Sequence, residues 1–351
     1  MLYKIFKFYL KKIDPELAHK LAIVFIKISS LLPAIFLPKI DKNLHTNVFH
    51  LSFKSPIGLA AGFDKNAQIY NHIYKLGFGF SEIGTITPKP QEGNPRPRVF
   101  RLIEDKAIIN RLGFPNDGID IIKKRIKHDM PKGICGINIG PNKENATLKN
   151  DYLKGFDEFF SMASYITINI SSPNTPNLRM NHDEERIINL IDSLQEKRDD
   201  KKSKVPIIFK ISPDIEDFEI KSLCEIFLEK KIDGVILTNT TVNHKENLGS
   251  DLKDEIGGLS GKPLNTVSNK IIQKFFTQLG HNIPIIGAGG VSDGQTALEK
   301  IKSGASLLQL YTSMVYSGPY VAHKINKELS NLIKKQGYKN ISEAVGIYCK
   351  K

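Results

Sequence analysis

The sequence has only three cysteines, Cys135, Cys224 and Cys349, and they lie far apart. This number and spacing argue against a disulfide framework or a zinc ribbon and favour a reducing compartment. The nine histidines lack the His-x-x-x-His or carboxylate spacing that binds a metal, so we predict no metal. Low-complexity tracts and repeats of solenoid period are also absent, as is typical of an ordinary globular chain.

Acidic residues are too few to balance the basic ones. Against 37 aspartates and glutamates stand 50 lysines and arginines, which give a formal net charge of +13. This excess favours an anionic partner such as nucleic acid, a membrane surface or a phosphorylated ligand, although a lysine-rich solvated surface is the alternative. The length of 351 residues exceeds the roughly 250 typical of one (β/α)8 barrel, which predicts one large domain with an appendage.

Short apolar or β-branched runs recur along the chain, with amphipathic stretches between several of them. Eight runs are predicted to be strands, at 57–61, 80–86, 133–139, 166–170, 206–211, 234–237, 284–287 and 307–310. Helical spacing of apolar residues predicts helices over 183–197 and 218–230. Eight strands separated by helices favour a closed parallel (β/α)8 TIM barrel of the α/β class, with an eight-stranded doubly wound sheet as the alternative.

Polar or glycine-rich residues follow nearly every predicted strand. The most informative segment is NISSPN at 169–174, which places two amides and two hydroxyls directly after an apolar run. Because the carboxyl ends of barrel strands carry the chemistry, we expect these strand-end residues to converge on one mouth. For this segment alone a capped turn is the alternative, since Asn, Ser and Pro are common turn formers.

Two further features indicate a cofactor. Lys210 lies inside predicted strand 206–211, where a desolvated ammonium needs an anionic partner. The N1/O2 edge of a flavin, which becomes negative on reduction, would suit it, and a lysine snorkelling at a strand end is the alternative. GAGG at 287–290, together with Tyr311 and Thr312, follows strands seven and eight, where barrels commonly bind phosphate. The segment lacks the Rossmann spacing and context, so nicotinamide binding is not supported.

An ordered series of motifs resembles a known family. It comprises DPELAH at 14–19, GLAAGFDK at 58–65, EIGT at 82–85, NPRPRVFR at 94–101, NRLGF at 110–114, GINIG at 136–140, NISSPNTP at 169–176, TNTT at 238–241, GGLSGKP at 257–263 and GASLLQLY at 304–311. Over almost its whole length the chain resembles the class 2 dihydroorotate dehydrogenases, which are quinone-dependent FMN enzymes of pyrimidine synthesis. One departure is Pro115, where the family usually has an amide that Asn116 could replace.

The resemblance implies roles for the matching residues. Ser172 would be the general base that removes a proton from C5 of dihydroorotate as hydride passes from C6 to the flavin, and Lys65 would stabilise charge. Spacing alone does not decide between Ser171 and Ser172. The substrate residues would be Lys65, Asn110, Arg111, Leu112, Gly113, Phe114, Asn169, Asn174, Asn239 and Thr240. FMN would contact Ala61, Gly62, Phe63, Asp64, Lys65, Thr85, Asn138, Asn169, Lys210, Thr238, Gly261, Gly290, Tyr311 and Thr312, and the quinone head would contact His19 and Arg101.

The first forty residues lack an apolar segment long enough to cross a membrane. The longest uncharged stretch, 28–38, has 11 residues with two prolines, whereas a span needs about 20 and a signal peptide an unbroken apolar region. Two amphipathic helices are predicted instead, one over 1–13 and a second with Asp14 as cap and Pro15 as its first residue. The second has an apolar stripe of Leu17, Leu21, Val24, Phe25, Ile28, Leu31 and Leu32. Such helices can lie on a bilayer and shelter a lipid tail, or pack on the outside of the barrel.

These features and the resemblance together predict two parts. We expect residues 1–45 to form an amphipathic helical region for quinone access and membrane association, and 46–351 to form the FMN-binding barrel. The expected partners are dihydroorotate or orotate, ubiquinone or a related membrane quinone, and a lipid surface. We expect no nucleic-acid partner, and we expect the protein to be a monomer. The expected location is peripheral, on the cytoplasmic face of the bacterial inner membrane, since an Arg/Ser-rich presequence is absent.

Two other functions are weighed against this one. A dihydrouridine synthase acting on RNA would suit the basic charge, but it predicts an RNA-binding domain and a cysteine acid. Class 1 relatives also use a cysteine as base, and none of the three cysteines lies near 169–174. A non-catalytic membrane-surface scaffold would leave the strand-end polar groups merely structural, and it would be a colourless protein that does not take up FMN.

Overall fold

A closed barrel of eight parallel strands forms the centre of the protein. The structure is a computed structural model and describes residues 13–29, 39–145, 149–174 and 184–350. The barrel strands are β3 (Ile57–Asp64), β4 (Phe80–Ile86), β7 (Ile134–Ile139), β8 (Tyr165–Asn169), β9 (Ile207–Ile211), β10 (Gly234–Leu237), β12 (Ile285–Ala288) and β13 (Ala305–Leu310). They are hydrogen-bonded in the order β10-β12-β13-β3-β4-β7-β8-β9, with β9 pairing β10 to close the ring. The predicted TIM barrel is confirmed.

Helices surround this barrel and bury one face each. They are α2 (Gly118–His128), α3 (Lys149–Phe159), α4 (Glu184–Asp200), α5 (Asp217–Glu229), α6 (Leu264–Leu279), α7 (Gly294–Lys302), α8 (Thr312–Ser317) and α9 (Val321–Lys335). Helix α4 buries Ile187, Leu190, Ile191 and Leu194, whose spacing places them on one side of a helix. Both helices expected from apolar spacing, α4 and α5, are therefore present with bounds close to those predicted.

Side chains on alternate positions of each barrel strand point into the barrel. Ile208, Ile236 and Leu307 lie in one interior cluster, whereas Phe209 belongs to the core between strands and helices. Because side chains alternate with a period of two, Lys210 on β9 faces the interior like Ile208. The same alternation places the polar ends of several strands at one mouth.

Two small sheets close the two ends of the barrel. Strands β1 (Thr46–Val48) and β2 (Leu51–Phe53) form an antiparallel hairpin. Its Phe53 meets Phe80 at the start of β4 edge-to-face, with ring centroids 5.3 Å apart, and so seals the amino-terminal end. Strands β5 (Val99–Leu102), β6 (Ala107–Asn110) and β11 (Gly258–Gly261) form an antiparallel sheet beside the opposite mouth. None of these five strands was predicted from the sequence.

Helix α1 (Pro15–Ser29) precedes the barrel and has two different apolar faces. The backbone N–H of Leu17 donates to Asp14 Oδ1 at 2.8 Å, which confirms Asp14 as the cap and Pro15 as the first residue. Ile23 and Ile26 are buried in the main core. The opposite face exposes Leu17, Leu21, Val24 and Ile28, each to 41–60% of its surface.

The described residues include only part of the predicted amino-terminal helical region. The predicted first helix lies outside the described residues except for Ile13, and so do Leu31 and Leu32 of the second. Within the described ranges, no helix has both the length and the apolar character needed to cross a bilayer. The boundary at residue 45 stays a prediction.

Candidate active site

A cleft of about 1200 Å³, part of it open to solvent, lies at the carboxyl ends of the barrel strands. Most residues predicted to bind substrate or cofactor line it. They are Ala61, Gly62, Lys65, Thr85, Asn110, Leu112, Gly113, Phe114, Asn169, Ser172, Asn174, Lys210, Thr238, Asn239, Thr240, Gly261, Gly290, Tyr311 and Thr312. The predicted convergence of the strand ends on one mouth is confirmed.

A directed chain of hydrogen bonds runs from the buried Glu82 up to the cleft. The amide of Asn138 donates to Glu82 Oε1 at 2.8 Å. The Thr85 hydroxyl donates to Asn138 Oδ1 at 2.6 Å and accepts from Asn169 Nδ2 at 2.9 Å. Because a carboxylate only accepts, Glu82 fixes which way each amide of the chain points. Asn169 therefore turns its Oδ1 toward Asn239 Nδ2, which lies 3.4 Å away.

Glu82 also organises the floor of the cleft. Its Oε2 accepts from the Tyr165 hydroxyl at 3.0 Å, Thr167 Oγ1 at 3.2 Å and Gln309 Nε2 at 2.7 Å. Four donors thus satisfy a carboxylate that is fully buried. Burial lowers the pKa of Lys210, and the charge of Glu82 opposes that shift. Lys210 is buried at the cleft floor, where the sequence predicts a cationic group facing a cofactor.

The two adjacent serines have different environments. Ser172 lines the cleft, and its Oγ accepts from the backbone N–H of Asn174 at 3.3 Å. Ser171 is fully buried, and its Oγ accepts from Asn239 Nδ2 at 3.0 Å and donates to Asn169 Oδ1 at 3.4 Å. Spacing left the choice between them open, and the geometry gives only Ser172 a place on the cleft surface.

Lys65 supplies a positive charge to the cleft. Its Nζ donates to the carbonyl of Gly62 at 2.5 Å. Burial lowers the pKa of Lys65 to about 8, and the carboxylate of Glu16 on helix α1 acts in the opposite direction. At neutral pH this ammonium is still mainly protonated and can bind a carboxylate or a developing enolate.

Several side-chain amides line the cleft. Asn174 Nδ2 donates to Asn110 Oδ1 at 3.3 Å, and Asn110 Nδ2 donates to the Gly258 carbonyl at 3.4 Å. The Asn239 side chain accepts from the backbone N–H of Thr240 at 2.8 Å. Amides present both donors and acceptors, which the edge of a small planar imide requires.

A glycine cradle forms another part of the cleft lining. Gly289 and Gly290 follow β12 with φ of +108° and +78°, and a Cβ on Gly290 would lie 2.4 Å from Asn265 Cβ. Thr312 Oγ1 and Ser260 Oγ lie 2.9 Å apart at the same end. Backbone N–H groups beside small residues and hydroxyls suit a phosphate.

Three buried oxygens support the presence of a further group in this region. Thr238 Oγ1, Gln309 Oε1 and Asn265 Oδ1 have no hydrogen-bond partner among the described residues. Thr238 and Gln309 line the cleft, and Asn265 lies behind the glycine cradle. Buried polar atoms are nearly always paired in folded proteins, so these atoms fit a polar ligand. A flavin with a phosphate matches the lysine floor, the amides and the cradle together.

Several predicted site residues lie behind the cleft instead of lining it. Phe63 packs edge-to-face on His19 and Tyr311, at 4.8 and 5.2 Å between ring centroids. Asp64 is buried and accepts the backbone N–H groups of Gln68 and Ile69, both at 2.7 Å. These two side chains therefore support the start of the loop after β3, and neither residue is among those that line the cleft.

The side chains of Arg111 and Asn116 also bind other groups of the protein. Arg111 forms an ion pair with Glu255 at 2.7 Å and donates to the Pro97 carbonyl at 3.0 Å. The Asn116 amide donates to Thr87 Oγ1 and to the Phe114 carbonyl, both at 2.8 Å. Asn116 is thus committed to its own turn, while Pro115 lines the cleft.

Of the two residues predicted for the quinone, His19 lies on helix α1 and Arg101 lies next to its start. Burial lowers the pKa of His19 to about 3, and the nearby charge of Lys65 acts in the same direction, so its imidazole is neutral at physiological pH. Arg101 on β5 donates to the carbonyl of Ile13, the residue that precedes the helix cap. Among the described residues, no cluster of three His, Cys, Asp or Glu side chains could hold a metal ion.

Sequence reasoning missed Glu82, Gln309 and Asn265. A signal for Glu82 was present, because it is a single carboxylate within the otherwise uncharged β4 segment FSEIGTI. A buried carboxylate needs several donors, so its position inside a strand indicates a hydrogen-bond network.

Comparisons with known proteins agree with this geometry. The sequence profile of the family "Dihydroorotate dehydrogenase" matches residues 43–333. The Dihydroorotate dehydrogenase (quinone) of Bartonella tribocorum is 45% identical over 94% of this chain and 92% of its own length. The mitochondrial Dihydroorotate dehydrogenase (quinone) of Mus musculus is 42% identical over 95% of this chain and 87% of its own.

A solved structure shows the same fold. The crystal structure of DHODH from Eimeria tenella in complex with ferulenol superposes with a TM-score of 0.91 at 37% sequence identity, and the match covers 96% of both chains. The ligand-free form of that protein gives a TM-score of 0.90. Barrel, cleft and sequence therefore lead to one assignment: this chain belongs to the dihydroorotate dehydrogenase family.

Proposed function

We propose that the chain oxidises (S)-dihydroorotate to orotate in pyrimidine biosynthesis with Ser172 as the general base, FMN as its flavin and a membrane quinone as the final acceptor. The family and the quinone-dependent relatives carry the reaction class. The observation that carries the residue assignment is the contrast between the two serines. Ser172 lines the cleft, whereas Ser171 is buried and bonded to Asn239 and Asn169.

The proposed base works with neighbouring groups. A serine hydroxyl is a poor base unless its own proton can leave as it takes one from carbon. The open cleft beside Ser172 gives such a proton a route to water. Lys65, mainly protonated at pH 7, would bind the substrate carboxylate or stabilise the charge that develops when the C5 proton is removed.

The remaining polar side chains would hold the substrate ring. We assign this role to Asn110, Asn174 and Asn239, whose amides line the cleft. Asn169 contributes as well, and the chain that starts at Glu82 sets its orientation. A ring held on several sides by fixed amides loses little further entropy before reaction.

FMN fits the inner part of the cleft. A bound flavin supplies the hydride acceptor for the reaction. We propose that Lys210, Thr85, Thr238 and Gln309 contact its ring system, since Thr238 and Gln309 have buried oxygens without partners among the described residues. Gly290 and its neighbours Gly261, Tyr311 and Thr312 would hold the phosphate.

Helix α1 is the proposed route for the quinone. Its exposed stripe of Leu17, Leu21, Val24 and Ile28 suits insertion into the boundary of a bilayer, and His19 on the same helix packs against Phe63 beside the cleft. We infer a peripheral monomer on the cytoplasmic face of a bacterial inner membrane, with residues 1–45 as the membrane-associating part and the barrel after it.

The serine assignment is tested by two neighbouring substitutions. Ser172→Ala should slow anaerobic flavin reduction by dihydroorotate about 10²–10⁴-fold, the usual contribution of a general base. Ser171→Ala is the matched control, because it removes the same atom one residue away and should slow reduction less than about tenfold. A larger loss in Ser171→Ala than in Ser172→Ala would contradict the assignment.

A further inference from the structure

Helix α1 is held to the rest of the protein by an ion-pair cluster centred on Glu16. Glu16 accepts hydrogen bonds from Arg98 Nε at 2.8 Å and from Arg98 Nη2 at 2.9 Å, so the two residues form a bidentate carboxylate–guanidinium pair. Arg96 contributes a second contact at 3.1 Å. The Arg98 side chain is only 6% exposed, so Glu16 neutralises a nearly buried charge.

Arg98 extends this link into the loop before β5. Its third nitrogen donates to the carbonyl of Glu92 at 2.6 Å and to that of Asn94 at 2.8 Å. A Cβ on Gly93, between these two residues, would lie 2.8 Å from the Arg98 guanidinium. The loop is therefore closely wrapped around the guanidinium, and its shape depends on where Glu16 holds that group.

Asn94 then connects the loop to both sides of the substrate cleft. Its Nδ2 donates to the Arg111 carbonyl at 3.0 Å and to the Asn174 carbonyl at 3.2 Å. Arg111 follows Asn110, and the backbone N–H of Asn174 donates to Ser172 Oγ at 3.3 Å. Both segments that frame the proposed substrate site are thus fixed by one side chain.

We propose that Glu16 is a positioning residue for dihydroorotate: through Arg98 and Asn94 it holds the segment of Ser172 and Asn174, so that substrate binding depends on helix α1. This inference rests on the proposed function. It assigns to a helix expected to serve the quinone a second role in the half-reaction that reduces the flavin. Burial lowers the pKa of Lys65 and the Glu16 carboxylate opposes that shift, so helix α1 is coupled to the cleft in charge as well as in geometry.

The test compares half-reactions in the purified holoenzyme. Glu16→Gln keeps the side-chain shape but removes the charge that fixes Arg98. We expect it to raise the Kd of orotate, measured from the change in flavin absorbance, at least tenfold, and to raise the dihydroorotate concentration for half-maximal flavin reduction similarly. Lys20→Gln is the matched control, because it removes an exposed charge from the same helix and should leave both values within twofold.

A second variant cuts the link at its far end. Asn94→Ala leaves helix α1 and its ion pairs intact and should weaken orotate binding in the same direction. If the two residues act through one chain, the double variant weakens binding by much less than the product of the two single effects. If the double variant raises the orotate Kd by the product of the two single fold increases, the proposal is overturned.

The outcomes separate this inference from the proposed function. A wild-type protein that binds flavin but neither binds orotate nor is reduced by dihydroorotate would refute the function itself. If the wild type reacts and Glu16→Gln keeps the orotate Kd within twofold while only reoxidation by quinone slows, Glu16 merely anchors the helix. Thermal midpoints of all variants, measured with flavin bound, show whether a loss of binding reflects unfolding.

Discussion

Replacing Glu82 by glutamine should reverse the hydrogen-bond chain under the cleft. The glutamine has one acceptor oxygen, which is needed for the three donors now at Oε2, so its NH2 faces the amide of Asn138. Asn138 must then turn over, and Thr85 must donate where it now accepts. Asn169 would turn as well, and its NH2 would meet the NH2 of Asn239.

The cost of this change can be worked out from the bonds involved. One buried donor is left without an acceptor, which costs about 1–3 kcal/mol of folding free energy. Hydrogen bonds to a charged acceptor also become weaker bonds to a neutral one, which costs about 1 kcal/mol more. The free energy of unfolding should therefore fall by roughly 2–4 kcal/mol. For a chain of 351 residues this corresponds to a drop in thermal midpoint of about 3–5 °C, because the unfolding entropy scales with length. Flavin affinity should fall as well, because Thr85 and Asn169 present reversed polarity to the cleft.

Thermal unfolding and flavin titration of the variant measure both effects. Glu225→Gln provides the control, since that carboxylate is 67% exposed and its replacement should change the midpoint by less than about 1 °C. Glu82→Gln could instead unfold at the wild-type temperature and bind FMN with unchanged affinity. The hydrogen-bond chain would then not depend on the Glu82 carboxylate, and that carboxylate would not set the orientations of the amides.

Two further predictions concern Lys65 and Gly290. The pKa of Lys65 is about 8, so its ammonium is deprotonated as the pH rises through 8. Above that pH the orotate Kd should increase with pH, with a limiting slope of about tenfold per pH unit. The variant Lys65→Met should show no such increase. Gly290→Ala should weaken FMN binding at least tenfold, because its Cβ would lie 2.4 Å from Asn265. Gly337→Ala has the same φ of +78° but open space around it, and it lies outside the cleft. It controls for a general effect of alanine at positive φ and should leave FMN binding unchanged.

The barrel was predictable because its strands are short apolar runs that end in polar residues. The bounds of β4 and β10 match the predicted 80–86 and 234–237, and β3 only extends further, to Asp64. These runs are buried on both faces, and a buried strand is apolar at nearly every position. The strand ends carry the site, so the cleft followed from the same pattern.

The small sheet beside the mouth was not predictable in the same way. Strands β5, β6 and β11 have four residues each, and β6 pairs Asn110 with Gly258, far away in the sequence. Local patterns do not report such long-range pairing, which depends on the whole fold bringing the segments together. For the same reason, the sequence did not predict roles for Glu16 and Asn94, because their hydrogen-bond partners lie in distant segments.

The direct test of the central claim is anaerobic mixing of the purified flavoprotein with L-dihydroorotate, followed by a short-chain quinone. We predict bleaching of the flavin absorbance on the first addition and its recovery on the second. A yellow protein that dihydroorotate does not bleach would contradict the proposed substrate, and bleaching without recovery would contradict the quinone as acceptor.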